Sequence, residues 1–339
     1  MSDNTQEPVM STNSLKKYYP HSDSIVKRIL GNTSYIKAVD NVNINIKKGE
    51  SYGLVGESGS GKSTLGELLL KLQDPTDGEL IFNGKKLSDY SSKEIREFRK
   101  NVQIILQDPY DALNPRQTVF QIVSEPLRNF FDYSDKKIES MVSDILTDVG
   151  LRPADEFLYK HPEQLSGGER QRVNIARAII LKPDVLVADE PLSMLDVSVQ
   201  GGIIKLLDDL KEEYNYSLLY ISHNLAVVKL ISDRIGVMYK GRIVEEGEAD
   251  EIINSPKHPY SRALIQSIPR LNEERERVLL PEHQMEEHEE VSGCRFHPRC
   301  PDKMDICTEH TPAMEDVDGV KVACYLHHSE HQEERSNES

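Results

Sequence analysis

The stretch Gly56-Glu57-Ser58-Gly59-Ser60-Gly61-Lys62-Ser63 restricts the fold of this chain more than any other feature. It satisfies the pattern G-x-x-x-x-G-K-[ST] in full. It also stands between a short apolar run, Tyr52 to Val55, and a segment in which Leu65, Leu68, Leu69 and Leu72 recur at helical spacing. Strand, glycine-rich loop and helix in that order fold backbone N–H groups around a phosphate, and the helix N-terminus adds positive potential. Gly56, Gly59 and Gly61 let the backbone approach closely, with Ser58, Ser60 and Thr64 as further polar lining. Lys62 brings a full charge to the outer phosphates, and the Ser63 hydroxyl is suited to Mg²⁺ on the same oxygens. A Gly/Ser turn that merely precedes a helix is the bland alternative, and the flanking strand and helix argue against it.

The remaining pattern predicts an α/β fold around a parallel sheet. Val42, Ile44 and Ile46 alternate as a half-buried strand does, and Lys48-Gly49 turns the chain into Tyr52–Val55. Further strands are expected at Ile81–Gly84, Val102–Leu106, Val185–Ala188 and Leu218–Ile221, the last two separated by a helix over Ile203–Leu210. Residues 118–160 are helix-rich, with Ile138, Met141, Val142 and Ile145 on one face. Ile235–Tyr239 and Arg242–Glu245, joined at Lys240-Gly241, predict a hairpin at the sheet's end. Asp189 follows the apolar run Val185–Ala188, so its carboxylate should emerge beside the glycine-rich loop, where an open sheet binds its ligands, and hold Mg²⁺ through water. Glu190, next in line, is the candidate to take a proton from an attacking water.

Which phosphate-binding family this is follows from Leu165-Ser166-Gly167-Gly168-Glu169-Arg170-Gln171. The phrase resembles the LSGGQ signature of the ABC ATPases, with Glu169 in place of the usual Gln, and it opens a helix carrying Val173, Ala176 and Ile180 on one face. The resemblance extends, in order, to Gln107, to Ser193-Met194-Leu195-Asp196 and to His223. It implies a P-loop NTPase core with a helical signature subdomain, hydrolysing ATP with Mg²⁺. By the same resemblance Gln107 touches Mg²⁺ or the attacking water and senses a membrane subunit, and His223 contacts the γ-phosphate. Ser166, Gly167, Gly168, Glu169 and Asp196 cover nucleotide held by the P-loop of a partner subunit. An upstream aromatic residue stacks on adenine in this family; Tyr19 is the candidate, with Tyr18 and Tyr35 competing across an apparent insertion at residues 21–34.

Longer phrases are similar to the ATPases of oligopeptide, dipeptide and nickel importers: Gln107-Asp108-Pro109-Tyr110, Glu125-Pro126-Leu127, Leu195-Asp196-Val197-Ser198-Val199-Gln200 and His258-Pro259-Tyr260-Ser261-Arg262-Ala263-Leu264. This implies an ATPase energising peptide import. Its partners would be a second, distinct ATPase subunit in preference to an identical copy, two transmembrane permease subunits and, indirectly, an external substrate-binding protein. The place of action would be the cytoplasmic face of the cell membrane. Nickel or oligosaccharide import, and a soluble ABC ATPase without membrane partners, are the alternatives.

Composition narrows these readings. A chain of 339 residues exceeds one typical core, so a main domain with an appendage is expected. The divisions are a tail at 1–13, the ATPase domain at 14–265 with its helical subdomain at about 108–180, an extension at 266–328 and a tail at 329–339. A net charge of −16 argues against general nucleic-acid binding and suits either solubility or a salt-rich cytoplasm. No secretory signal and no apolar run long enough to span a membrane is visible. All four cysteines, Cys294, Cys300, Cys307 and Cys324, fall in the extension. Their spacing leaves free thiols, zinc and an iron–sulfur cluster open; the importer resemblance implies a [4Fe-4S] cluster. His327, His328 and His331 read as a solvated tail.

Overall fold

The computed structural model describes residues 7–20, 35–266 and 291–328. The expected insertion at 21–34, most of the charged segment before the cysteines, the tail at 329–339 and His331 lie outside the described residues.

In chain order, β1 (Pro8–Pro20), β2 (Tyr35–Val42) and β3 (Asn45–Lys47) precede β4 (Ser51–Val55), which enters the glycine-rich loop and α1 (Lys62–Leu69). Then come β5 (Asp77–Phe82), β6 (Lys85–Lys86), α2 (Ser92–Asn101) and β7 (Val102–Ile105). Five helices follow: α3 (Pro109–Ala112), α4 (Val119–Phe130), α5 (Asp135–Asp148), α6 (Asp155–Leu158) and α7 (Gly167–Ile179). The chain returns through β8 (Val185–Asp189), α8 (Val197–Tyr214), β9 (Ser217–Ser222), α9 (Leu225–Ile231), β10 (Arg234–Tyr239) and β11 (Arg242–Glu248). It continues with α10 (Ala249–Asn254), α11 (Pro259–Gln266), α12 (Ile306–Glu309), β12 (Glu315–Val317) and β13 (Val320–Val322).

An eight-stranded sheet runs in the order β12-β13-β11-β10-β4-β9-β8-β7, and its members β10, β4, β9, β8 and β7 are mutually parallel. Alternation along the buried strands explains how one sheet serves two cores. Val185, Val187, Leu219 and Ile221 face a core shared with α1 and the antiparallel β1–β2–β3–β5 sheet. Leu186, Ala188, Leu218 and Tyr220 face the opposite core, built with helices α4 to α9. Burying each such Val, Leu or Ile contributes about 1.5–3 kcal/mol, and a one-residue slip of register would exchange the two sets.

The expectation of a helical stretch between β7 and β8 holds. Two of its helices begin at capping boxes: Thr118 with Gln121 on α4, and Ser166 with Glu169 on α7. In α5, Ile138, Val142 and Ile145 are buried, as their spacing predicts.

Four expectations need correction. The N-terminal tail does not reach residue 13: β1 starts at Pro8, and Val9 and Met10 are buried because this strand joins β3 and β5. Leu72 is not on the α1 face; the helix ends at Leu69, Lys71 takes φ +55°, and Leu72 is 63% exposed. The β10–β11 hairpin does not end the sheet, because β13 of the extension pairs with β11 and β12 adds one strand more. Finally, His327 and His328 are tied down: His327 Nε2 lies 3.0 Å from the Lys257 carbonyl, and His328 Nδ1 is 3.2 Å from Glu315.

Candidate functional site

The register of the parallel strands gathers the candidate residues at one edge. Val55 pairs with Ser222, Ile221 with Asp189, and Ala188 with Ile105, so β4, β9, β8 and β7 end at a common level. The residues just beyond are the glycine-rich loop, His223, Glu190 and, past Leu106, Gln107. Four sequence segments separated by up to half the chain thus meet where parallel sheets bind their ligands.

The loop depends on its glycines at two points. Gly61 adopts φ +103°, and a Cβ there would stand 2.0 Å from the Ala38 carbonyl oxygen. At Gly56 a Cβ would lie 2.2 Å from the Met238 carbonyl oxygen. Within the loop, Lys62 Nζ donates to the carbonyls of Gly56 at 2.8 Å and Glu57 at 2.9 Å, with Ser60 Oγ at 3.3 Å. Burial lowers the Lys62 pKa, against the opposing carboxylates of Glu190, Asp189 and Glu57. Its ammonium is therefore a poorly hydrated charge, ready to exchange these carbonyls for phosphate oxygens.

The acidic side of the site is equally assembled. Ser63 Oγ donates to Asp189 Oδ1 at 3.4 Å, which places a hydroxyl and a carboxylate side by side. Burial raises the Asp189 pKa, and the neighbouring Glu190 charge adds to it, although Ser63 and Lys62 pull the other way. An oxygen-rich pair with strained solvation suits a hard divalent cation such as Mg²⁺. Glu190 itself has φ +44°, a conformation costly for a residue with a side chain, and its backbone N–H donates to the Ile221 carbonyl at 2.9 Å. That geometry turns its carboxylate toward both His223, whose Nδ1 is 2.9 Å away, and Gln107, whose Nε2 donates at 3.4 Å.

A cavity of about 700 Å³ opens over these groups. Ser58, Gly59, Gly61, Lys62, Ser63, Thr64, Gln107, Glu190 and His223 line it, as the sequence predicts. Its other wall holds Tyr35, one of the competing adenine candidates, and residues not read from the sequence as part of the site: Ile36, Lys37 and Ala38 of β2, Lys240 and Gly241 of the β10–β11 turn, and Val291 and Arg295. Gly241 gave a signal, since a Cβ there would meet the Lys37 carbonyl oxygen at 2.4 Å. Tyr19, the expected adenine partner, does not line this cavity. Its hydroxyl donates to Gln73 at 2.6 Å and its ring lies under Lys17; Tyr35 lines the cavity instead.

Ser166, Gly167, Gly168, Glu169 and Asp196 do not line it either. Ser166 caps α7: its Oγ accepts the Glu169 N–H at 3.3 Å, and the Glu169 carboxylate accepts the Ser166 N–H at 2.7 Å. The Ser166 N–H, with its hydroxyl, lowers the Glu169 pKa despite some burial. A carboxylate therefore serves as well as an amide in this capping role. Gly168 packs against α8, where an added Cβ would approach Val199 to 2.8 Å. Asp196 precedes α8 at its N-cap without bonding through its side chain.

The four cysteines converge. Cys294, Cys300, Cys307 and Cys324 all line one cavity of about 10 Å³, and burial pushes the thiol of Cys300 up to about 11 and that of Cys324 up to about 12. Four sulfurs are a fitting donor set for a soft metal or an iron–sulfur cluster. Among the described residues no three His, Cys, Asp or Glu side chains are gathered as a metal-ligand group.

Known proteins agree with this architecture. The profile of the family described as ABC transporter matches residues 39–193, and that of the oligopeptide/dipeptide transporter C-terminal region matches residues 244–307. The oligopeptide transport ATP-binding protein AppF of Bacillus subtilis is 41% identical over 95% of this chain and 98% of its own length. The dipeptide transport ATP-binding protein DppF of Escherichia coli is 40% identical over 94% of this chain and 95% of its own. Among solved structures, the ATP-binding cassette MJ0796, a post-hydrolysis dimer bound to ADP and Pi, is 29% identical with a TM-score of 0.61, covering 71% of this chain and 98% of that one. With cradle, carboxylates and signature helix in place on one sheet, and with these relatives matching nearly end to end, the chain belongs to the ABC transporter ATPases that carry the oligopeptide/dipeptide transporter C-terminal region.

Proposed function

We propose that this ATPase energises peptide import, as one of two facing ATPase subunits beneath a pair of membrane permease subunits at the cytoplasmic face. The second ATPase is a related but distinct chain, and an external binding protein delivers the peptide. One observation carries the proposal. The helix-start cradle at Ser166–Glu169 stands apart from the cavity that the chain's own phosphate loop forms. Two half-sites that share no cavity within one molecule are completed when a second ATPase presents its signature helix over the first one's nucleotide. Among the described residues no helix is long and apolar enough to cross a membrane, which leaves the membrane path to partners.

The chain's own residues divide the chemistry. Lys62 and the loop amides bind the β- and γ-phosphates, while Ser63 and Asp189 hold Mg²⁺, which neutralises charge on the phosphate oxygens. Glu190 accepts a proton from water as its oxygen attacks the γ-phosphorus, the bond to the bridging oxygen breaks, and ADP leaves with that oxygen. His223 and Gln107 orient the Glu190 carboxylate. Tyr35 stacks on adenine in place of Tyr19. Closure is driven because ATP favours the joined state more than ADP does.

We further propose that the four cysteines bind a [4Fe-4S] cluster, a reading supported by all four lining one cavity. Anaerobically purified protein should then be brown with about four irons per chain; a colourless, zinc-loaded protein would reject this. The two-subunit reading is tested by mixing the chain with its cognate ATPase and ATP. Nucleotide-dependent association, abolished when Ser166 is replaced by a bulky residue, is expected. A mixture that stays monomeric and hydrolyses ATP at full rate after Ser166→Trp sinks it.

A further inference from the structure

The loop between the first two cysteines grips the phosphate-binding loop from behind. Arg299 donates two parallel hydrogen bonds to the Glu57 carboxylate, Nη1 to Oε2 at 2.8 Å and Nη2 to Oε1 at 3.0 Å. Glu57 is the second residue of the phosphate loop, and its side chain does not line the nucleotide cavity. Its backbone is held too: the N–H donates to the Tyr260 hydroxyl at 2.8 Å, and the carbonyl accepts from Lys62 at 2.9 Å. Two groups from the C-terminal part of the chain, Arg299 on the carboxylate and Tyr260 on the backbone N–H, therefore hold Glu57 in addition to the loop's own bonds.

Those groups are anchored in the cysteine module. Arg299 precedes Cys300, and the turn from Cys294 to Cys300 is closed by backbone bonds from His297 to Cys294 at 3.0 Å and from Arg299 to Phe296 at 3.0 Å. Phe296, in the same turn, is 1% exposed and packs edge-on against Tyr239 at 5.3 Å and, tilted, against Tyr260 at 5.5 Å. Turn, aromatic cluster and arginine form one continuous support.

We infer that Arg299 is a positioning residue for ATP binding: through Glu57 it pre-orders the phosphate loop, so that nucleotide affinity depends on the integrity of the four-cysteine module. The physical basis is that ordering a loop residue costs conformational entropy, which a clamped loop does not lose again on binding phosphate. The inference deepens the reading of this cavity as the ATP site, and it holds whichever metal, if any, the thiols carry.

The test measures the dissociation constant of a fluorescent ADP analogue on the purified full-length chain, with KM and kcat for ATP in the assembled complex. Wild-type affinity, measured alongside, reports on the ATP-site reading separately. Arg299→Ala and Glu57→Gln should each weaken binding about three- to tenfold, and the double variant no more than either alone. Arg299→Lys, keeping the charge without the paired geometry, should recover part of the loss. In the complex KM should rise by the same factor with kcat within about twofold. Cys300→Ser should weaken binding in the wild-type background and add nothing to Glu57→Gln. A purely structural Arg299 would lower thermal stability and leave the affinity of the folded fraction unchanged, which overturns the inference. So do losses that multiply in the double variant, or an unchanged affinity in Cys300→Ser. Should Arg299→Ala fail to fold, Glu57→Gln, which keeps its shape on a half-exposed loop, carries the same comparison.

Discussion

His223 Nδ1 stands 2.9 Å from Glu190 Oε1, joining the end of one parallel strand to the end of its neighbour across the mouth of the nucleotide cavity. Glu190 reaches this position at φ +44°, so a strained backbone and a second side chain together aim the carboxylate. Glu190→Gln keeps the shape and removes the proton acceptor. Hydrolysis should fall about a hundred- to ten-thousandfold, while ATP binding persists and an ATP-loaded dimer accumulates on size exclusion. His223→Ala should lose less, since it removes orientation and leaves the base. Turnover at the wild-type rate in Glu190→Gln would remove Glu190 from that role.

The chemistry was legible in the sequence to the extent that it rests on short, contiguous phrases. Gly56–Ser63, Asp189-Glu190 and Ser166–Glu169 each pair a special backbone with specific side chains, and the structure puts the first two at one sheet edge. The strands behind them were legible because they are buried on both faces. β1 was not, because residues 8–20 mix polar and apolar positions with a left-handed kink at Ser14, and bulges break the period-two pattern. Arg295 and Arg299 were hidden for a different reason: their partners Asp40 and Glu57 are remote in sequence, and no local pattern encodes a pairing across 255 and 242 residues.

Gly241 tests whether the unread wall of the cavity matters. It has φ +85°, and a Cβ would press on the Lys37 and Ala38 carbonyls, at 2.4 and 3.1 Å. Gly241→Ala must therefore displace β2 from the phosphate loop or distort the hairpin, at a cost of about 1–3 kcal/mol. The expected result is a lower melting temperature together with weaker ATP binding. A variant that loses stability alone would show that this wall does not shape the site.

Asp40 supplies a pH dependence with a definite sign. Burial would raise its pKa, but the Tyr18 hydroxyl at 2.5 Å and the guanidinium groups of Arg242 and Arg295 outweigh it and hold the carboxyl below the usual range. Burial, and the bond to Asp40, push Tyr18 up to about 12, so it remains a donor at neutral pH. A depressed folded-state value means that the contribution is complete above the unfolded carboxylate value of about 3.9 and is lost as pH falls through the folded value. Asp40→Asn should thus lower unfolding free energy by roughly 1–3 kcal/mol at pH 7. The gap from wild type should stay constant down to about pH 5 and narrow below about pH 4. A gap of equal size at pH 3 and pH 7 in urea titrations would contradict the assignment.

Adenine recognition separates Tyr35 from Tyr19. Both belong to the β1–β2 pairing, where Tyr19 lies opposite Ile36 and Tyr35 opposite Pro20, so sequence position alone could not choose between them. The structure distinguishes their surroundings. Tyr35 is 55% exposed on the cavity wall. Tyr19 is engaged through its hydroxyl with Gln73, which in turn donates to Glu67 on α1 at 2.5 Å, so it ties β1 to the helix behind the phosphate loop. An aromatic ring stacked on a base is worth about 1–3 kcal/mol. Tyr35→Ala should therefore weaken ATP about tenfold or more while inorganic triphosphate, which has no base, competes as well as before. Tyr19→Ala should leave both affinities within about twofold and lower the melting temperature instead, because only a packing and hydrogen-bonding role is removed. The opposite outcome, base-dependent loss in Tyr19→Ala and none in Tyr35→Ala, would return the stacking role to Tyr19 and require β1 to turn its last residues into the cavity when nucleotide binds.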